Sequence, residues 1–118
     1  MRERALIVDD YLPFRRLASR LLQEIGREVV GEAGTGAEAL SESRRLKPDL
    51  VLLDIQLPDL DGLAVAASLS MQPEPPAVVL VSSRDAADYG PRLDGCGALG
   101  FIAKADLSAE SLAALLRA

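Results

Sequence analysis

The chain has 118 residues, 49% of them hydrophobic, a net charge of -5, one cysteine and no histidine. That is enough apolar material for one domain with its own core and no disulfide support, and the acidity, without a dense Lys/Arg cluster, argues against direct nucleic-acid contact. Imidazole metal sites and His-based triads are excluded, and the apolar run after Met1-Arg2-Glu3-Arg4 is too short for a signal or membrane segment, so a cytoplasmic location is expected.

Strand-like and helix-like patterns alternate along the chain. Ala5 to Val8 reads as a buried strand, and Leu12, Leu17, Leu21, Leu22 and Ile25 then fall at helical spacing until Gly26 stops the helix. Glu28 to Ala33 gives a second strand. Thr35 with Glu38 makes a T-x-x-E capping box for a helix through about Leu46, which Pro48 ends. Leu50 to Leu53 is a continuous apolar run, as expected of a central strand covered on both faces. Asp61 is placed to cap a third helix carrying Leu63, Ala66, Ala67 and Leu69, and Pro73 to Pro76 separates it from a fourth strand, Ala77 to Val81. Between Ser83 and Gly97 the pattern weakens, and a long loop is expected with a short helix whose first turn is Gly90-Pro91, capped by Asp88. Leu99 to Ala103 is the fifth strand, and Ser108 opens a last amphipathic helix carrying Leu112, Leu115 and Leu116.

Five βα units with right-handed crossovers imply a doubly wound α/β sheet, whose ligands bind outside the carboxyl ends of its strands. Asp9-Asp10, Asp54, Ser82 and Lys104 each follow one apolar run, so they should meet at that edge. Three carboxylates, a hydroxyl and an ammonium there make a magnesium-dependent phosphoryl-acceptor site. Magnesium takes one or two protein carboxylates and keeps several waters. Asp10 and Asp54 as direct ligands, with Asp9 acting through water and the Gln56 backbone carbonyl adding an oxygen, would fit that preference. Asp54 fits the aspartyl-phosphate nucleophile, and magnesium with Lys104 would neutralise the phosphoryl oxygens. Taken singly, each residue has a plainer reading. Asp9-Asp10 suits a helix cap, Asp54 turn chemistry, Ser82 a local backbone bond, Lys104 a solvated charge and Phe101 a core aromatic.

The pieces L-I-V-D-D at Leu6 to Asp10, P-D-L-V-L-L-D-I-Q-L-P-D-L-D-G from Pro48 to Gly62, V-L-V-S-S at Val79 to Ser83 and G-F-I-A-K at Gly100 to Lys104 occur in this order and spacing. In them the whole chain, residues 1–118, resembles the receiver domain of bacterial two-component response regulators. The resemblance implies a flavodoxin-like (βα)5 sandwich with strand order 2-1-3-4-5. It makes Asp54 the phosphoacceptor, Asp9 and Asp10 the magnesium carboxylates, Ser82 the switch hydroxyl, Phe101 the switch aromatic and Lys104 the phosphate-binding ammonium. It also implies a sensor histidine kinase as partner, and a switch rather than an independent enzyme. Ala105 stands where the receiver pattern commonly has proline, as in the branch whose receivers precede LuxR-like helix-turn-helix domains. This points to a transcriptional output through an effector domain outside these residues. Gln56 and Arg84, flanking the site, are the candidates for tuning the lifetime of the phosphoryl group. The first and last helices offer apolar surface for a homodimer.

Three rival functions are weighed against this one. A haloacid-dehalogenase-like phosphatase would need a second Asp at position 56, which is Gln. A flavodoxin-like cofactor carrier would need a phosphate-binding loop where Asp9-Asp10-Tyr11 is acidic. A phosphorylation-independent receiver used for dimerisation or docking would keep the acidic site without its chemistry.

Overall fold

The computed structural model describes residues 3–117. Five parallel strands, β1 (Arg4–Val8), β2 (Glu28–Ala33), β3 (Leu50–Asp54), β4 (Ala77–Ser82) and β5 (Gly100–Ala103), form one sheet in the order β2-β1-β3-β4-β5. The continuous apolar runs take the centre: every residue of β3 is buried, and so is all of β4 after Ala77. Four helices flank the sheet: α1 (Leu12–Glu24), α2 (Gly36–Leu46), α3 (Gly62–Ser70) and α4 (Ala109–Arg117).

Strand alternation divides the core in two. Ala5, Ile7, Leu50, Leu52, Val79, Val81 and Ile102 pack against Phe14, Ala18 and Leu22 of α1 and Leu112 of α4. Leu6, Val8, Val51, Leu53, Val78 and Leu80 pack on the other face with Ala39 of α2 and Leu63, Val65, Ala66 and Leu69 of α3. The first layer can be called the α1/α4 face and the second the α2/α3 face.

Helix starts follow local chemistry, with one long-range addition. Thr35 Oγ1 accepts from Glu38 N at 3.1 Å, and Asp61 Oδ1 accepts from Leu63 N at 2.9 Å. Ser108 and Ser111 exchange bonds, each side chain accepting the other's amide at 3.0 and 2.9 Å. The α2 start is closed further by Asp59, 22 residues or more away, whose carboxylate accepts from Gly36 N at 2.7 Å and Ala37 N at 3.0 Å. Those two amides hold the Asp59 carboxyl below the ordinary range. Asp9-Asp10 do not cap α1. Its N-cap is Tyr11, without a side-chain bond, and Pro13 occupies the first turn.

The connection from β4 to β5 departs from expectation. Among the described residues it holds no α-helix, only two 3-10 turns at Ala86–Asp88 and Gly90–Leu93, neither of which buries a residue. Asp88 does not cap a helix at Gly90; its Oδ2 accepts from Asp85 N at 2.9 Å and closes the earlier turn instead. Gly90 and Gly97 have φ of 60° and 81°, so the backbone leaves the right-handed helical region at the start of the second turn and again four residues after its end. After β5, Lys104–Asp106 forms a single 3-10 turn, and the Lys104–Ala105 peptide is trans.

Candidate functional site

The carboxyl ends of β1, β3 and β5 bring Asp9, Asp54 and Lys104 together. Lys104 Nζ lies 2.7 Å from Asp9 Oδ2 and 3.4 Å from Asp54 Oδ2. Carboxylate oxygens of Asp9, Asp10 and Asp54 all fall within 4.8 Å of one another. Asp9 is wholly buried and Asp54 nearly so, while Asp10 is exposed at the rim. Alternation explains the grouping: Asp9, Asp54 and Lys104 continue the register of Ile7, Leu52 and Ile102, which line the α1/α4 face. Phe14 of α1 completes that side, with Lys104 Nζ 4.2 Å from its ring centroid.

The remaining contacts fix the loops. Asp9 Oδ1 accepts from Tyr11 N at 2.8 Å, and Arg15 donates to the Asp9 carbonyl at 2.6 Å while pairing with Glu32 at 2.9 Å. Asp54 Oδ1 accepts from Gln56 N at 3.0 Å. Gly62 N donates to Ile55 O at 2.8 Å, and a Cβ at position 62 would lie 2.4 Å from the Asp54 carbonyl oxygen. Only glycine lets the β3–α3 loop close so tightly on the strand that carries Asp54.

Burial pushes the Asp54 carboxyl up to about 6. The Asp9 charge adds to that push, and the Gln56 amide and the Lys104 ammonium pull against it. Burial also works against the charge on Lys104, but Asp9 and Asp54 outweigh it and hold the ammonium above the ordinary lysine value.

Asp9 Oδ2 supplies the test for a cation. It is buried, and its one close partner is the Lys104 ammonium at 2.7 Å, which Asp54 shares. One ammonium thus faces three carboxylates, and hard oxygen donors in that number and closeness suit a small divalent cation. The donor set fits magnesium.

Ser82 and Phe101 lie on the other side of the sheet. Ser82 follows the register of Leu80, and its Oγ bonds the Tyr89 hydroxyl at 2.6 Å and accepts from Arg84 N at 3.0 Å rather than meeting Asp54. Phe101 is half-buried on β5, its ring centroid 6.2 Å from that of Tyr89. The Gln56 side chain accepts from Ser83 Oγ at 3.3 Å, and the Arg84 side chain is exposed. Of the expected site residues, then, Asp9, Asp10, Asp54 and Lys104 converge, Gln56 adjoins them, and Ser82, Phe101 and Arg84 stand apart.

Sequence reasoning missed Tyr89, Phe14 and Asp59. Tyr89 offered one signal: it is one of only two tyrosines, seven residues beyond Ser82 in a segment with little apolar pattern.

Residues 5–117 match the family model of the response regulator receiver domain. The chain is 44% identical over 112 residues to a candidate transcriptional regulator of Pseudomonas aeruginosa, covering 94% of this chain and 54% of that protein. It is 38% identical over 115 residues to a protein-glutamate methylesterase/protein-glutamine glutaminase of Alkalilimnicola ehrlichii, covering 93% of this chain and 29% of that one. Among solved structures, it resembles the signal receiver domain of Mycobacterium tuberculosis NarL with a TM-score of 0.88 and 34% identity, over 98% of this chain and 94% of that domain. With its sheet order and its acidic strand ends, the chain belongs to the response regulator receiver domain family. It spans about half the length of the regulator and under a third of the methylesterase.

Proposed function

We propose that the chain is a magnesium-dependent phosphoacceptor switch. Asp54 receives the phosphoryl group from the phosphohistidine of a sensor histidine kinase, or from a small acyl phosphate. The observation that carries this reading is the buried Asp54 carboxylate set between Asp9 and Lys104 at the end of the central strand. Ionised acid in that position is costly unless it has a partner or a task.

Asp54 supplies the attacking oxygen, and the Gln56 amide holds its other oxygen in place. Lys104, cradled on Phe14, is the ammonium that meets a phosphoryl oxygen. Asp10 and Asp54 would hold magnesium directly, Asp9 through water, and the Gln56 backbone carbonyl would add an oxygen. When bound, magnesium offsets charge on the carboxylates and on the transferred group. Ser82 then turns to donate to a phosphoryl oxygen, and Phe101 takes up the space released. Gln56 and Arg84 side chains, at the rim, tune access of the hydrolytic water.

The chain is a switch and not an independent enzyme. Its output is transcriptional, through a DNA-binding domain outside these residues; the similarity to the Pseudomonas aeruginosa regulator and Ala105 after Lys104 both support this. The receiver itself makes no DNA contact, and phosphorylation favours a homodimer. No described helix is long and apolar enough to cross a membrane, and a cytoplasmic site of action is the reading taken.

Intact mass after incubation with acetyl phosphate, with and without magnesium, tests the acceptor. One phosphoryl adduct is expected, lost without magnesium and lost in Asp54→Ala. Failure to find an adduct under conditions that trap acyl phosphates would leave the phosphorylation-independent docking module.

A further inference from the structure

Ser82 is the last residue of β4, wholly buried, and its hydroxyl bonds Tyr89 at 2.6 Å. The Tyr89 ring is half-buried beside Phe101 and packs against the α2/α3 core. Ser82 thus faces away from the layer that holds Asp9, Asp54 and Lys104. A hydroxyl has one proton and few acceptor positions, and Arg84 N already takes one of them at 3.0 Å. Because Tyr89 packs on the side of the sheet away from Asp54, turning Ser82 Oγ toward a group on Asp54 separates it from the phenol, whichever hydroxyl donates.

We propose that Tyr89 is a positioning residue that holds the Ser82 hydroxyl on the α2/α3 side of the sheet until a phosphoryl group on Asp54 competes for it. The proposal rests on the acceptor reading above. The competition has a defined direction, because an anionic phosphoryl oxygen is a stronger hydrogen-bond partner than a neutral phenol. It also has a defined consequence. Tyr89 lies between two 3-10 turns that bury no residue fully, and the segment's other ties are the Tyr89 ring and Leu93 on the α2/α3 core and the Arg92–Asp61 ion pair, so losing this bond loosens it. Tyr89 would set both how readily Ser82 turns and how far the surface beyond it responds.

Beryllofluoride, a phosphoryl mimic, gives an equilibrium test in saturating magnesium. Its affinity is measured for the native chain, Tyr89→Phe, Ser82→Ala and the double variant, with magnesium affinity measured separately for each. Tyr89→Phe keeps the ring on Phe101 and removes only the phenol oxygen. Beryllofluoride binding is expected to tighten by roughly two- to tenfold, the range for one neutral hydrogen bond no longer opposing it. Magnesium affinity should stay unchanged, which a general structural disturbance would not allow. In the Ser82→Ala background the gain should vanish. An unchanged beryllofluoride affinity in Tyr89→Phe, or a gain that persists without the Ser82 hydroxyl, overturns the proposal. A native chain that binds magnesium but not beryllofluoride overturns the acceptor reading first, and is told apart by being seen before any substitution is made.

Discussion

Two junctions, one after β3 and one after β4, each follow a strand ending in a site residue, yet they are built oppositely. After Asp54 the chain turns back at once: Gly62 bonds Ile55, Asp61 caps α3, Asp59 reaches over to close α2, and α3 buries Leu63, Val65, Ala66 and Leu69. After Ser82 it runs through two short turns with no fully buried residue, attached by the Tyr89 hydroxyl, by the Tyr89 ring and Leu93 packed on the α2/α3 core, and by the exposed Arg92–Asp61 ion pair. The first junction holds the Asp54 carboxylate in one geometry, as the proposed in-line transfer would require. The second keeps few contacts, and a segment of that kind opens at low free-energy cost.

The comparison breaks most visibly at Gly62. An alanine Cβ there meets the Asp54 carbonyl at 2.4 Å and Ile55 Cα at 2.5 Å, so backbone must shift. Gly62→Ala should lose about 2–4 kcal/mol, the range of a severe core disturbance, read as a lower urea midpoint. Alanine at Gly95, in the looser junction, meets nothing within 4 Å and should change the midpoint little.

A smaller effect is expected from the Asp54 carboxyl itself. Its pKa of about 6 lies above that of the unfolded chain, so between about pH 4 and 6 the folded state holds more protons, and stability falls as pH rises through that window. Without divalent cations at pH 7, Asp54→Asn should therefore be more stable than the native chain by roughly 1–3 kcal/mol. The difference should close below pH 4 and shrink when magnesium is added. Thermal unfolding across pH checks the sign.

Arg92→Ala sharpens the comparison at the smallest scale. Both partners of its ion pair are largely exposed, so global stability should fall by under about 1 kcal/mol. Hydrogen exchange in residues 86–95 should nevertheless accelerate while exchange in α3 does not, because only the looser segment depends on that tether.

The same contrast accounts for what could be read from the sequence. The convergence of Asp9, Asp10, Asp54 and Lys104 follows from three apolar runs and the polar residues directly after them, a local signal, whereas the strand order came from the resemblance to receiver domains and Ser82, after a fourth run, does not join the cluster. The caps at Thr35, Asp61 and Ser108 were local too. Asp59 was missed because it serves a helix far back in the chain, and Phe14 because its meeting with Lys104 depends on how α1 lies on the sheet. In the β4–β5 connection, the weak pattern between Ser83 and Gly97 and the Gly90-Pro91 pair announced a long loop with a short helix. They could not specify two 3-10 turns, nor that Asp88 would turn back to Asp85, because such short elements are decided by a few competing bonds.

Strand alternation has one more consequence. Asp54 and Ser82 end neighbouring strands, but the register that puts Asp54 with Leu52 puts Ser82 with Leu80, on opposite sides of the sheet. The sheet is therefore a partition between a charged compartment, with Asp9, Asp54 and Lys104, and one that holds Ser82, Tyr89 and Phe101, and they meet only past the strand ends. Because side chains alternate with a period of two, inserting or deleting a single residue ahead of Ser82 within β4 would move Ser82 to the side that holds Asp54. A relay built this way tolerates many changes of side chain along its strands and no change in their count.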